Sequence, residues 1–139
     1  MKTFDEWVAH YEKHSGEDFS PHKGCKLFFI PERGFCEIAI GDDLLIIYQL
    51  SGDARFWHDF CLCLCDVLNL RAIGTICTRN VKSYIRFWGY AITDTVHLPD
   101  GQEQYFCQHK RNDWTARLSP AWLKGGHPAY YVTEYLKEV

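Results

Sequence analysis

Long apolar runs are absent from this chain, and no stretch approaches the roughly 18–20 residues needed to span a bilayer as a helix. The first residues, MKTFDEWVAHYEKH, carry charge throughout and contain no apolar core of an export signal. An excess of basic residues is absent too. The formal net charge is −3, which argues against a chain that coats nucleic acid or an acidic membrane, because phosphates are drawn by a basic field. The C-x-x-C spacing of structural zinc sites does not occur among the seven cysteines, and seven is an odd number. Most of the cysteines sit inside apolar runs, so they read as buried thiols in a reducing compartment, and a cytoplasmic protein is expected. There are no internal repeats, linkers or low-complexity stretches.

What remains is 139 residues, 47% hydrophobic and 16% aromatic, which is enough apolar surface to build a core and excludes a disordered chain. A single domain over 1–139 is the expectation. Thr3 and Glu6 fit a capping box ahead of Phe4, Trp7, Val8 and Tyr11, which recur at helical spacing up to Gly16. A polar loop with Pro21 and Gly24 follows. Three strands are then expected at Lys26–Ile30, Phe35–Ile40 and Leu44–Leu50, joined by short turns that favour an antiparallel meander. Ser51-Gly52-Asp53 opens a long helix with a buried stripe of Phe56, Phe60, Leu64, Val67 and Leu68. Ala72–Thr78 reads as a strand, Asn80 as the N-cap of a helix over Val81–Trp88, and Tyr90–Leu98 and Glu103–His109 as a hairpin. The spacing of Trp114, Leu118, Trp122 and Leu123 points to a short amphipathic helical turn, and Ala129–Glu138 fits a strand or a helix. The class is α/β (α+β). The strand–helix–strand segment from Leu44 to Thr78 is expected to form a right-handed parallel crossover in a mixed sheet.

Two short motifs carry a likeness. Gln49-Leu50-Ser51-Gly52-Asp53-Ala54 fits the pattern Q/R-x-x-G-x-G/A, and Asn80 opens a helix that ends in Tyr84, Phe87, Trp88, Gly89 and Tyr90. With the order of elements over residues 4 to 109, these resemble the N-acetyltransferase (GNAT) superfamily, including its bacterial and phage-encoded members. The resemblance implies an acyl-CoA-dependent N-acyltransferase acting on a small-molecule or protein amine, with acetyl-CoA or another acyl-CoA as cofactor. It places the cofactor along Tyr48, Gln49, Leu50, Ser51, Gly52, Asp53, Ala54 and Arg55, with Asn80 as a further contact. A glycine lets backbone approach a diphosphate, and helix N–H groups point at the anion. It also implies Glu37 as the base and Tyr84 as the acid that protonates the leaving thiolate, while Arg79 and Lys82 would meet nucleotide phosphates.

Each of these residues also has a plainer reading. Asp53 between strand and helix is an ordinary N-cap, Tyr84, Phe87 and Trp88 form a packing face, and a charged strand residue such as Glu37 faces water. Cys61, Cys63 and Cys65, and His10 with His14, invite a metal but offer no third ligand at suitable spacing, so no metal is expected. The family's first strand and second helix have no counterpart. The alternative is therefore a GNAT-like protein without catalysis, serving in binding or assembly, and an unrelated α+β interaction domain is the third reading. A second copy of the chain is among the expected partners, and the tail aromatics Trp114, Trp122, Tyr130, Tyr131 and Tyr135 either close the core or face a partner.

Overall fold

The computed structural model describes residues 2–124 and 126–136. The chain divides into two compact units, Met1–Leu70 and Arg71–Val139. The class is α+β, with three helices and eight strands among the described residues.

The first unit begins with α1 (Phe4–Ser15), which starts and stops where local chemistry dictates. The Thr3 hydroxyl accepts from the Glu6 N–H, the Glu6 carboxylate accepts from the Thr3 N–H, and Gly16 closes the helix at φ 74°. Strands β1 (Lys26–Ile30), β2 (Gly34–Ile40) and β3 (Leu44–Gly52) form the expected antiparallel meander. Helix α2 (Ala54–Leu68) follows β3 after a single residue. The sheet carries helices on both faces. Phe4 of α1 meets Phe29 and Phe35, whereas Phe60 of α2 meets Phe28. Because β2 is covered on both sides, Phe35, Cys36, Glu37 and Ile38 are all buried and no polar alternation survives.

Two expectations for this unit change. The buried stripe of α2 is Trp57, Cys61 and Cys65, flanked by half-buried Phe56, Phe60 and Leu64, while Val67 and Leu68 are exposed. The stripe is set by Trp57, whose indole N–H reaches the Arg33 carbonyl at 2.9 Å and fixes the rotation of the helix. Nor are all the thiols buried, since Cys63 faces out from α2 and Cys25 is half-buried.

The second unit holds β4 (Ala72–Cys77), α3 (Val81–Phe87), β5 (Tyr90–His97), β6 (Glu103–His109), β7 (Thr115–Lys124) and β8 (His127–Tyr135). Its five strands run antiparallel in the order β4-β8-β7-β6-β5. Ile85 of α3 packs with Tyr105, Cys107, Leu118, Tyr130 and Val132 on one face of this sheet. The expected β5–β6 hairpin is present. The helical turn expected at Trp114–Leu123 is instead strand β7, in which Ala116 and Leu118 point into the core and Thr115 and Arg117 point out. Alternation over those four residues is too brief to outweigh a spacing of four between bulky residues, and strands on both sides supply the hydrogen bonds. Ala129–Tyr135 is strand, while Lys137 and Glu138 of the same expected element lie outside the described residues. Among the described residues, no helix is long and apolar enough to cross a membrane.

The tightest contact in the first unit joins the start of β2 to the end of β3. Gly34 and Gly52 are paired, at φ 97° and 102°. A Cβ on Gly34 would lie 1.9 Å from the Ser51 carbonyl oxygen, and one on Gly52 would lie 2.2 Å from that of Arg33. Gly34→Ala or Gly52→Ala should therefore cost about 3 kcal/mol or more. Gly101→Ala, also at positive φ but with open space around it, should cost about 1 kcal/mol. Urea unfolding of the three variants checks the ranking.

Candidate functional site

The residues named for a diphosphate all fall in the first unit, at the junction of β3 and α2. Ser51 and Gly52 are not loop residues but the last rungs of β3, opposite Phe35 and Gly34. The Ser51 hydroxyl donates to the Trp7 carbonyl at 3.0 Å. Asp53 is the N-cap of α2, and its carboxylate accepts from the Phe56 N–H at 3.1 Å. The same carboxylate meets the Arg33 guanidinium at 2.6 Å, and the Asp53 N–H donates to the Arg33 carbonyl at 2.9 Å. The Phe56 N–H bond, then Arg33, hold the Asp53 carboxyl below its ordinary range, so it is an anion at neutral pH. The positive end of α2 thus already holds a negative charge belonging to the chain. Ala54 is the first residue of α2 and Arg55 the second, exposed.

A different group of expected residues does converge. Glu37 on β2 and Gln49 on β3 are a cross-strand pair, and Gln49 donates to Glu37 at 2.8 Å. The register then slips: Ile38 pairs with Ile47, and Tyr48 is the extra residue of a β-bulge. The bulge turns the Tyr48 ring outward, where it lies 4.8 Å from the ring of His22. Glu37 accepts from the His22 backbone N–H at 2.6 Å and meets His22 Nδ1 at 2.7 Å. An ionised carboxylate has no proton to give, so Nδ1 carries the hydrogen of this contact, and in the neutral ring Nε2 is the acceptor. Gln49 also bonds both backbone groups of Ser20, donating to its carbonyl at 2.8 Å and accepting from its N–H at 3.4 Å.

Glu37 is 1% exposed, whereas the His22 side chain is about half exposed. Burial is the largest single influence on Glu37 and opposes ionisation. The bonds from the His22 N–H, the His22 ring and Gln49 together outweigh it and hold the carboxyl below the ordinary range. This arrangement does two things. It pins the 17–25 loop to the sheet, and it fixes one half-exposed imidazole through Nδ1, the positioning a general base requires.

The remaining expected residues are in the second unit. Asn80 caps α3, accepting from the Ser83 N–H at 2.9 Å. Tyr84 and Trp88 pack against the core cluster, while Phe87 is exposed. Burial raises the Tyr84 phenol above its ordinary value. Sequence reasoning missed two residues. His22 lies in a polar loop and gave no signal. Glu134, buried on β8, accepts from the Tyr90 hydroxyl on β5, and alternation with Tyr130 and Val132 would have put it on the core face. Among the described residues, no group of three His, Cys, Asp or Glu side chains is placed to hold a metal ion.

Comparison with family models, with curated proteins and with solved structures finds no match to this chain.

The Glu37 carboxyl titrates lower in the folded chain than its ordinary value of 4.5, so its contribution to stability is complete above that pH and is lost as pH falls through the folded value. Glu37→Gln removes the charge and one of the two oxygens that receive the His22 bonds, and should cost about 1.5–3 kcal/mol at pH 7. The variant's stability should also fall less steeply than the wild type's between pH 5 and pH 3, a range set by ordinary carboxyl values near ~4. Urea unfolding across that range checks both, with Asp53 and Glu6, also held low, contributing to the slope that remains.

Proposed function

We propose that this chain is a non-catalytic α+β binding or assembly protein whose order of elements parallels that of the N-acetyltransferase superfamily. The observation that carries this reading is the filled N-terminus of α2. A coenzyme A diphosphate docks where backbone N–H groups are free and local charge is positive. Here the Asp53 carboxylate takes that place, bonded to Phe56 and Arg33, and Gly52 is committed to pairing with Gly34. Displacing the cap would cost about 0.5–2 kcal/mol before any ligand contact formed, and like charges would meet.

Amine acyl transfer is a second reading, favoured by the His22–Glu37 pair beneath the Tyr48 bulge. In that reading His22 Nε2 takes the proton of the attacking amine. Glu37 sets the tautomer and stabilises the imidazolium, and the amine attacks the thioester carbonyl to release the thiol. Glu37 reaches a substrate only through His22, since its oxygens are buried and bonded.

Calorimetric titration separates the two. Acetyl-CoA and CoA should give no heat with the wild type up to about 1 mM, a concentration that detects even weak sites. Micromolar binding, or thiol release in an amine screen that His22→Ala abolishes, would overturn the binding-protein reading. Variants of Gly52 are uninformative here, because a side chain there meets backbone.

A further inference from the structure

The chain's net charge conceals a division. Residues 71–139 carry 9 Lys and Arg against 6 Asp and Glu, a net +3, while residues 1–70 carry 6 against 12, a net −6. The basic half is the unit whose sheet has one face packed with α3 and the core and the other face bearing exposed rings. The register defines that open face. Phe106, Arg117 and Thr133 form one row across β6, β7 and β8. Gln108, Thr115 and Tyr135 form the row on one side, and Ser119 and Tyr131 lie in the row on the other. With strands about 5 Å apart and same-face residues about 7 Å apart, Phe106, Tyr131 and Tyr135 stand roughly 12–14 Å from one another around Arg117. Trp122 rests edge-on against Tyr131, 6.0 Å between centroids, and extends the aromatic surface.

Arg117 is exposed and has no ion-pair or hydrogen-bond partner among the described residues. A concavity of about 340 Å³ opens beside it, lined by Thr93, Phe106, Gln108, Thr115, Arg117 and Tyr135. Lys110 and Arg111, both exposed, sit in the turn at the end of the face where Gln108 and Thr115 stand. Asp94 lies opposite Phe106 on the outer strand.

We propose that this open face of the second unit binds single-stranded nucleic acid. Unpaired bases stack on exposed rings, a guanidinium among the rings meets phosphate or stacks on a base, and amide and hydroxyl groups between them bond base edges. At a spacing of about 12–14 Å the rings can each take a separate base of one extended strand. An acidic peptide is the less fitting occupant. Recognition of acidic motifs draws on a cluster of arginines, and this face offers four rings around one. The assignment rests on the binding-protein reading and names its partner.

The test is fluorescence anisotropy of the full chain with a labelled single-stranded RNA of mixed sequence, about 12 nucleotides long, roughly one site's length. At about 50 mM salt the dissociation constant should be on the order of 10 μM and should weaken as salt rises. Phe106→Ala, Tyr131→Ala and Arg117→Ala should each weaken binding about tenfold, with circular dichroism unchanged. Lys82→Ala, which removes the same charge from α3 on the opposite face, should bind as the wild type does. A duplex of the same sequence should bind more weakly, because its bases already stack on one another. The proposal is overturned by any of three results: no anisotropy change at about 100 μM protein, the weak limit for non-specific binding; Lys82→Ala weakening binding as much as Arg117→Ala; or a polyglutamate peptide displacing the RNA at equal concentration, which would make the partner an acidic protein. Each removes only the named partner, whereas heat with acetyl-CoA removes the binding-protein reading itself.

Discussion

The first unit depends on the close approach of two glycines. Gly34 and Gly52 let β2 and β3 pair to their ends, with Cβ-free carbons where any side chain would meet a carbonyl oxygen. That approach brings Arg33 to the start of α2, and everything at the junction then uses it. The Arg33 carbonyl accepts from the Asp53 N–H and from the Trp57 indole, while its guanidinium holds Asp53 and lies 4.9 Å over the Phe56 ring. The direction of α2, its cap and its buried stripe thus follow from one backbone contact. The same contact commits the Asp53 N–H, while the Asp53 carboxylate takes the Phe56 N–H.

Each unit also buries a carboxylate, and each meets the cost in a different way. Burying a charge is tolerated when its oxygens are bonded. Glu37 is surrounded by donors from the 17–25 loop and Gln49, so its bonds fasten a segment that has no secondary structure of its own. Glu134 takes the Tyr90 hydroxyl, joining β8 to β5, strands that are three places apart in the sheet. Among the described residues, no buried side-chain nitrogen or oxygen lacks a partner. The two networks differ in access: His22 carries the first to the surface, whereas Tyr90 and Glu134 are both buried.

Charge and aromatic surface are distributed by unit rather than over the chain. An overall −3 argues against phosphate partners only if the charges are evenly mixed. Charge interactions fall off over about 10 Å at ordinary salt, so a ligand on the open sheet responds most to the groups around Arg117. An antiparallel sheet with one face on a core leaves the other free to display alternate residues, and in the second unit those residues include Phe106, Arg117 and Tyr131.

Elements whose signals are local could be read in advance. The Thr3–Glu6 box, Gly16, the turns at 31–33 and 41–43, and the Asn80 cap are each satisfied by neighbours in sequence, and they delimit α1, β1, β2 and α3 to within a residue. Asp53 was legible as a cap for the same reason. The end of β3 at Gly52 was not, because it is decided by a partner 18 residues earlier. Nor was β7, whose hydrogen bonds come from β6 and β8, or the turn of α2, set by the Arg33 carbonyl. Of the site, Glu37, Tyr48 and Gln49 were named singly, but a bulge and a loop bring them to His22. The sequence by itself determined the class, the helix ends and the tight turns, where the energy lies between residues a few places apart. Tertiary structure alone decided which carboxylates are buried and which face stays open, because those depend on groups that only folding brings together.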